Sequence, residues 1–306
     1  LYKSIDLKFF AGRKIVGELQ QNKLDGLQVG AQFCKGRFRV LERMEAAEGS
    51  SGVVFKAEDS EHGSRVCAVK ALRASARFAA NPEKVIKRFE EEAKLAKMLK
   101  HMNIVETYDY VIDANQHFII MEYVPGKPLD QYLELKGGVP WQVACSYISK
   151  ILTALDYAES QAKQSSNLGF YHRDIAPRNI MVINDDDIKL LDFGHATIGM
   201  TQRSSSGALN LKDIYKAPET RFEKSWSTRA EIFSVGVIFY ELINGVGSYP
   251  YNPLESQEYD NEDPPTYINF NNSIQIPNSL NQLIKQMVDL EPKGRQNRYI
   301  LLNEQI

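Results

Sequence analysis

The chain has 306 residues, of which 43% are hydrophobic and 25% are charged. It is long enough to bury a sizeable core and too apolar for a mostly disordered protein. Its 37 Lys and Arg residues against 39 Asp and Glu residues leave a net charge of −2, which argues against a protein that coats nucleic acid. Three widely spaced cysteines (Cys34, Cys67 and Cys145) predict neither a disulfide framework nor a zinc site, and favour a reducing, cytoplasmic compartment.

The first part of the chain predicts a small sheet with one main helix. Residues 1–36 show no clear period and are expected to form an N-terminal extension, and the start at Leu1 rather than Met indicates a fragment. Alternating or apolar runs then predict strands over residues 37–43, 52–57, 66–70, 104–111 and 117–123. Asn81-Pro82 has the cap and first-turn residues that open a helix, which is expected to end near Lys100.

After Pro125-Gly126 the pattern changes to helical spacing. Helices are predicted over residues 141–164, 232–243 and 280–290, and residues 249–276 are expected to form a long surface segment. The longest uncharged apolar run, residues 232–240, is about half as long as a membrane span, so no membrane span is expected in this chain. The pattern divides the chain near residues 121–126 into a strand-rich lobe (37–123) and a helix-rich lobe (124–306).

Two features of the first lobe suggest phosphate binding. The small residues of Ala47-Glu-Gly49-Ser50-Ser-Gly52 would let backbone amides approach a phosphate, although hairpin turns use glycine for purely conformational reasons. Lys70 ends an apolar strand, and Glu92 continues the apolar stripe of the following helix. Because an unpaired buried carboxylate is costly, Lys70 is the expected partner of Glu92; a surface lysine at a strand end is the alternative.

The strongest segment is His172-Arg173-Asp174 with Asn179, followed by Asp192-Phe193-Gly194. It offers one potential general base and two oxygen ligands for a hard cation. Phosphoryl transfer needs an acceptor for the proton of the attacking hydroxyl and a cation on the phosphates. A loop whose acids only cap helices would account for one such acid, but not for this spacing.

From about Arg37 to its end, the sequence resembles the eukaryotic-type protein kinases. The motifs follow the family's order: the glycine loop, Val66-Cys-Ala-Val-Lys70, Glu92 before His101-Met-Asn-Ile-Val, Ile120-Met-Glu-Tyr-Val124, His172-Arg-Asp174 with Asn179, Asp192-Phe-Gly194, Ala217-Pro-Glu219 and Glu291-Pro-Lys-Gly-Arg295. The resemblance implies an α+β, bilobal protein-kinase-like fold. Its smaller lobe would hold a five-stranded antiparallel sheet with one main helix, and its larger lobe would be mainly helical.

The resemblance also implies ATP-dependent transfer of the γ-phosphate to Ser/Thr hydroxyls of protein substrates, with Mg²⁺ (or Mn²⁺) as the metal. The catalytic residues would be Asp174, which orients the acceptor hydroxyl, and Lys70 held by Glu92. Asn179 and Asp192 would bind the metal. The nucleotide would contact residues of both lobes: Gly49, Ser50, Gly52, Val54, Ala68, Lys70, Met121, Glu122, Val124 and Met181.

Several positions depart from the family pattern and leave the acceptor amino acid open. Ala47 replaces the first loop glycine, and Glu231 replaces an Asp that normally anchors the catalytic loop. Ala176 stands where serine/threonine kinases usually carry Lys, and Arg178 stands where many tyrosine kinases carry Arg. A tyrosine or dual-specificity kinase and an ATP-binding pseudokinase scaffold are therefore kept as alternatives. Glu219 and Arg295 argue against a small-molecule phosphotransferase.

The sequence also predicts regulation and partners. Arg173 beside Asp174 favours control by phosphorylation of the segment that contains Thr201, Ser204, Ser205 and Ser206; a flexible polar loop is the alternative. A protein substrate and a regulatory protein partner are expected, and nucleic acid is not. The divergent positions would suit a bacterial protein, including an effector that acts in the cytoplasm of a eukaryotic host.

Overall fold

The computed structural model describes residues 27–44, 52–73, 80–166, 168–198, 214–222, 226–249 and 275–306. Gly49 and Ser50, with Ala47, lie outside the described residues, as does the predicted phosphorylation segment around Ser204–Ser206. The chain divides into two compact units. One contains the described residues up to Lys97 together with Glu106–Tyr123, and the other contains Met98–Val105 and Val124–Ile306.

The first unit contains an antiparallel sheet of six strands in the order β1-β2-β3-β4-β6-β5. The strands are β1 (Gln32–Phe33), β2 (Phe38–Arg43), β3 (Gly52–Asp59), β4 (Arg65–Leu72), β5 (Thr107–Asp113) and β6 (Gln116–Glu122). The five predicted strands are all present. The sixth, β1, falls in the segment that we expected to be an extension of uncertain structure, because two residues are too few to show an alternating pattern.

Aromatic side chains on one face of this sheet form its core. Phe33 stacks on Phe38 and Phe118 with ring centroids 5.1 and 4.6 Å apart, which explains why β1 joins the sheet. Phe38 and Val40 are buried in alternation with the exposed Arg39, the period expected of a half-buried strand.

Helix α1 (Pro82–Met98) packs against the same sheet. Asn81 Oδ1 accepts from the Lys84 amide at 3.1 Å and caps the helix start, as the sequence predicts. The helix buries Phe89 and Ala93 together with Leu72 of β4 and Ile119 of β6. This packing aims the Glu92 position of the helix inward.

The second unit is mainly helical. Its helices are α2 (Leu129–Lys136), α3 (Trp141–Ser166), α4 (Pro218–Phe222), α5 (Thr228–Asn244), α6 (Asn278–Met287) and α7 (Tyr299–Asn303). Short strands form two small sheets: β10 (Asp187–Leu190), β9 (Ile180–Asn184) and β7 (Lys127–Pro128) in one, and β11 (Thr197–Ile198) with β8 (Phe170–Tyr171) in the other. The predicted α+β class is confirmed, with the sheet and one main helix in one unit and most helices in the other.

Helix α5 is the centre of the second unit. Ser227 Oγ accepts from the Ala230 amide at 3.4 Å and caps its start, and residues Ala230 to Ile243 are all buried. Two acids, Glu231 and Glu241, lie within this buried run. Among the described residues, none of the helices is long and apolar enough to span a membrane.

Candidate active site

Lys70 and Glu92 form a buried ion pair in the first unit. Lys70 is 5% exposed and Glu92 is 9% exposed, and Lys70 Nζ donates to Glu92 Oε1 at 2.6 Å. Strand β4 and helix α1 therefore bring together the two side chains that the sequence predicted to meet. The pair fixes the ammonium group of Lys70 beside β4, a strand in the middle of the sheet.

Gly52 is packed tightly beside this lysine. A Cβ atom at Gly52 would lie 2.8 Å from the Ala71 carbonyl oxygen and 2.9 Å from Lys70 Cγ, closer than side chains normally approach. Glycine at this position therefore allows β3 to run close to the lysine. Gly49 and Ser50, the other predicted phosphate-binding residues of the loop, lie outside the described residues.

The predicted nucleotide-base residues of the first unit lie on neighbouring strands. Strand register sets Ala68 opposite Met121, and Val54 opposite Lys70. The Glu122 amide donates to the Glu106 carbonyl oxygen at 2.8 Å, so it is engaged within the protein. Val124 and Met181 belong to the second unit and are both buried.

In the second unit, Asp174 is held by two side chains from the following turn. Asn179 Nδ2 donates to Asp174 Oδ2 and to the Asp174 carbonyl oxygen, each at 2.8 Å. The Arg178 guanidinium forms an ion pair with Asp174 Oδ1. A 3₁₀ turn at Pro177–Asn179 brings both donors back to the acid. The carboxylate of the predicted base is therefore fixed in orientation, and its side chain remains 16% exposed.

Asp192 lies on a segment that is hydrogen-bonded to residues 172–179, which we call the catalytic loop. The Leu191 amide donates to the Asn179 carbonyl oxygen at 2.8 Å, and His172 Nε2 donates to the Leu191 carbonyl oxygen at 3.2 Å. Burial lowers the pKa of His172, which favours the neutral ring. The ring packs against Phe193 with centroids 5.0 Å apart. Asp192 has a positive φ of 51°, and its Oδ1 accepts from the Gly194 amide at 3.0 Å.

The donor set of Asn179 and Asp192 fits magnesium. Both hydrogen bonds of Asn179 to Asp174 use Nδ2, and the amide oxygen is the atom that suits a hard cation. The described residues contain no cluster of three His, Cys, Asp or Glu side chains that could hold a metal alone. A cation here would complete its shell with water and phosphate oxygens, which is how magnesium usually binds at phosphate-transferring sites.

Glu231 anchors the backbone just before Asp174. It is 0% exposed on α5, and its Oε1 accepts from the Arg173 amide at 2.7 Å while its Oε2 accepts from Tyr299 Oη at 2.9 Å. Burial raises the pKa of Glu231 to about 7, and these donors oppose the rise. The glutamate that departs from the family pattern thus still reaches the catalytic loop.

Two further carboxylates of the second unit, those of Glu219 and Glu241, are each bound by two donors. Arg295, of the Glu291–Arg295 motif, binds both carboxylate oxygens of Glu219, at 2.8 and 3.0 Å. Tyr215 donates to Glu241 Oε2 at 2.7 Å, and the Gly247 amide donates to Glu241 Oε1 at 2.8 Å. We did not predict the second pair, although an acid inside an apolar helix was a usable signal because buried carboxylates need partners.

Sequence reasoning also missed two side chains at the catalytic loop. Arg178 was noted only as a departure, and its i,i+4 contact with Asp174 depends on a non-helical turn. No local sequence pattern pointed to Tyr299, because the glutamate to which it donates, Glu231, is 68 residues away in sequence.

The sequence matches a known protein family and several known proteins. A family model described as the protein kinase domain matches residues 43–305. The chain is 31% identical over 264 residues to a probable serine/threonine-protein kinase of Clostridium perfringens, an alignment that covers 85% of the chain and 36% of the relative. It is 33% identical over 279 residues to a probable serine/threonine-protein kinase of Clostridium acetobutylicum, covering 88% of the chain and 39% of the relative.

A third relative is the serine/threonine-protein kinase PknA of Mycobacterium tuberculosis, which is 32% identical over 216 residues, covering 69% of the chain and 47% of that protein. The chain thus spans less than half the length of each of these relatives. Because the family model matches most of the sequence, the chain belongs to the protein kinase domain family.

Proposed function

We propose that this chain is an ATP- and Mg²⁺-dependent protein kinase that transfers the γ-phosphate to Ser/Thr hydroxyls of protein substrates. The observation that carries the proposal is the Asp174 carboxylate, which Asn179 and Arg178 hold in one orientation on a loop that also fixes the Asp192 segment. The names of the relatives, which are serine/threonine-protein kinases, support the choice of acceptor.

In this mechanism Asp174 accepts the proton of the substrate hydroxyl as that oxygen bonds to the γ-phosphorus and the bond to the ADP oxygen breaks. Asn179 and Arg178 keep the carboxylate aimed at the hydroxyl, because each donates to a different carboxylate oxygen. When bound by Asn179 and Asp192, Mg²⁺ spreads the charge on the phosphate oxygens. Lys70, oriented by Glu92, offers its ammonium group to the phosphates of the nucleotide.

The nucleotide is assigned to residues from both units. Gly49, Ser50 and Gly52 cover its phosphates. The base contacts Val54, Ala68, Met121 and Glu122 of the first unit, and Val124 and Met181 of the second. Residues 37–123 act as the smaller kinase lobe and residues 124–306 as the larger lobe, with residues 1–36 as an extension. Thermal-shift titration with ATP, with and without Mg²⁺, tests the assignment of the nucleotide.

The kinase works in the cytoplasm and is controlled by phosphorylation between His195 and Tyr215, where Thr201 and Ser204–Ser206 are the candidate acceptors. Arg173 supports this idea, because its guanidinium group is a cation next to the base and can bind a phosphate. Mass spectrometry after incubation with ATP tests the idea. A protein that carries no phosphate in this segment after such treatment would refute it.

Tyrosine specificity is the second candidate. It is favoured by one observation: Arg178, and not a residue at the Ala176 position, supplies the cation on Asp174. The acceptor residue on the autophosphorylated protein separates the two.

The catalytic role is tested with Asp174→Asn, which keeps the shape of the side chain but removes the proton acceptor. We expect a loss of phosphate transfer of at least roughly 100-fold, the usual contribution of a general base. Asp186→Asn is the matched control, because Asp186 is an exposed acid of the same unit and should behave as wild type. Equal activity of Asp174→Asn and wild type would remove Asp174 from the mechanism.

A further inference from the structure

Glu231 is a buried acid whose hydrogen bonds come from two separate parts of the second unit. Its donors include the backbone amide of Arg173, in the catalytic loop, and the hydroxyl group of Tyr299, on helix α7. A buried carboxylate is costly unless its oxygens are satisfied, so both donors matter for where the carboxylate sits. Tyr299 itself is fully buried, which fixes its ring.

The Arg173 backbone needs such a partner. Its φ of 65° is in the left-handed region, which is unfavourable for a residue with a side chain. Residues hold such conformations only when their surroundings impose them. The hydrogen bond from the Arg173 amide to Glu231 holds Arg173 in this conformation, one residue before Asp174.

Helix α7 is in turn fixed to the rest of the unit. Asn303 Nδ2 donates to Thr153 Oγ1 of α3 at 3.2 Å, and Leu302 is fully buried. The Tyr299 hydroxyl therefore lies on a helix that is attached to α3, 68 residues away in sequence from the acid that it binds.

We propose that Tyr299 is a positioning residue for the catalytic loop: its hydroxyl group orients the Glu231 carboxylate, which holds the Arg173 backbone and thereby places Asp174. This inference rests on the proposed kinase function for its effect on catalysis. Its structural part, the tethering of the loop, does not depend on that function.

The groups around Glu231 predict how the Tyr299 hydroxyl changes the pKa of Glu231. The charged and titratable groups around this region include Arg173 of the catalytic loop, Tyr171 of β8, Glu159 and Lys163 of α3, and Tyr299 of α7. Burial raises the pKa of Glu231, and the Tyr299 hydroxyl and the Arg173 amide lower it. The ionised carboxylate is acceptor-only and can take both donors at once. Removing the hydroxyl therefore raises the pKa of Glu231 further. The ionised carboxylate, which holds the Arg173 amide, is then present only at higher pH.

The test uses Tyr299→Phe, which keeps the buried ring and removes only the hydroxyl group. At neutral pH we expect kcat to fall by roughly tenfold, the effect of losing a hydrogen bond to a charged group. We expect the KM for ATP to change by less than about twofold, because the tether acts on Asp174, which handles the acceptor hydroxyl, rather than on the residues assigned to the nucleotide. The acid side of the kcat–pH profile should move to higher pH, and the Arg173 amide should exchange its hydrogen faster.

Tyr147→Phe is the matched control. Tyr147 is a buried tyrosine of the same unit whose hydroxyl donates to the Asn184 carbonyl oxygen at 3.2 Å, away from the catalytic loop. It should leave the pH profile and the exchange of the Arg173 amide unchanged. In a Glu231→Gln background, Tyr299→Phe should have a much smaller effect, since the two changes remove parts of one network.

The outcomes separate this inference from the proposed function. Faster exchange of the Arg173 amide in Tyr299→Phe, together with a wild-type protein that transfers no phosphate, would support the tether and refute the kinase assignment. An unchanged kcat–pH profile and unchanged exchange in Tyr299→Phe would overturn the inference, whatever the activity of the wild type.

Discussion

Glu92 of the first unit and Glu231 of the second are both buried, but they are stabilised in different ways. Glu92 of the first unit is bound by the ammonium group of Lys70 at 2.6 Å. Glu231 of the second unit is bound by a backbone amide and a tyrosine hydroxyl, and its pKa is raised to about 7. A carboxylate bound directly by a cation keeps its charge more easily than one whose direct hydrogen-bond donors are neutral. In the proposed mechanism the first acid fixes a cation for the phosphates, and the second holds the backbone of Arg173.

The largest effect is expected from removing the cation of the first pair. Lys70→Met leaves Glu92 buried without its ammonium partner, which typically costs about 3 kcal/mol when one member of a buried pair is lost. We expect the free energy of unfolding to fall by about that amount in urea titrations, and phosphate transfer to fall by at least roughly 100-fold because the cation on the phosphates is gone.

Lys87→Met is the control for this change. Lys87 lies on the same helix as Glu92, and its ammonium group is 4.0 Å from Glu91 in an exposed pair. Exposed pairs contribute little to stability, so this variant should unfold like wild type. If the two lysine variants lose the same stability, the burial of the Lys70–Glu92 pair does not matter and the proposed difference between the two glutamates is wrong.

The second acid is tested by its effect on stability across pH. The folded protein raises the pKa of Glu231 from 4.5 to about 7, so between these values it binds more protons than the unfolded chain. Stability from this group is therefore present below about pH 4.5 and is lost as pH rises through 7. A difference of one between the folded and unfolded pKa values corresponds to about 1.4 kcal/mol, so the loss of unfolding free energy can reach about 3 kcal/mol.

Glu231→Gln removes this titration and keeps an acceptor oxygen for the Arg173 amide. Compared with wild type, we expect a smaller loss of unfolding free energy between pH 5 and pH 8. Denaturant titrations at the two pH values measure the difference. Identical pH dependence of the two proteins would show that Glu231 does not titrate in this range.

Local pattern predicted much of the fold and part of the site. The strands of the first sheet and helix α1 follow from alternation, apolar runs and the Asn81-Pro82 start, and Glu92 was found because it continues an apolar stripe. Helix α2 and the β9–β10 hairpin (Ile180–Asn184 with Asp187–Leu190) were not predicted, because they are short and give little periodicity. The Tyr299–Glu231 contact could not be predicted, since it depends on how distant helices pack and not on local sequence.

The proposed function is tested most directly by phosphoamino-acid analysis of the wild-type protein after incubation with γ-labelled ATP and Mg²⁺, with Asp174→Asn as the inactive reference. We expect label on serine or threonine in the wild type and at least roughly 100-fold less label in the variant. Label on tyrosine alone would contradict the proposed acceptor. Equal label in both proteins would contradict the role of Asp174.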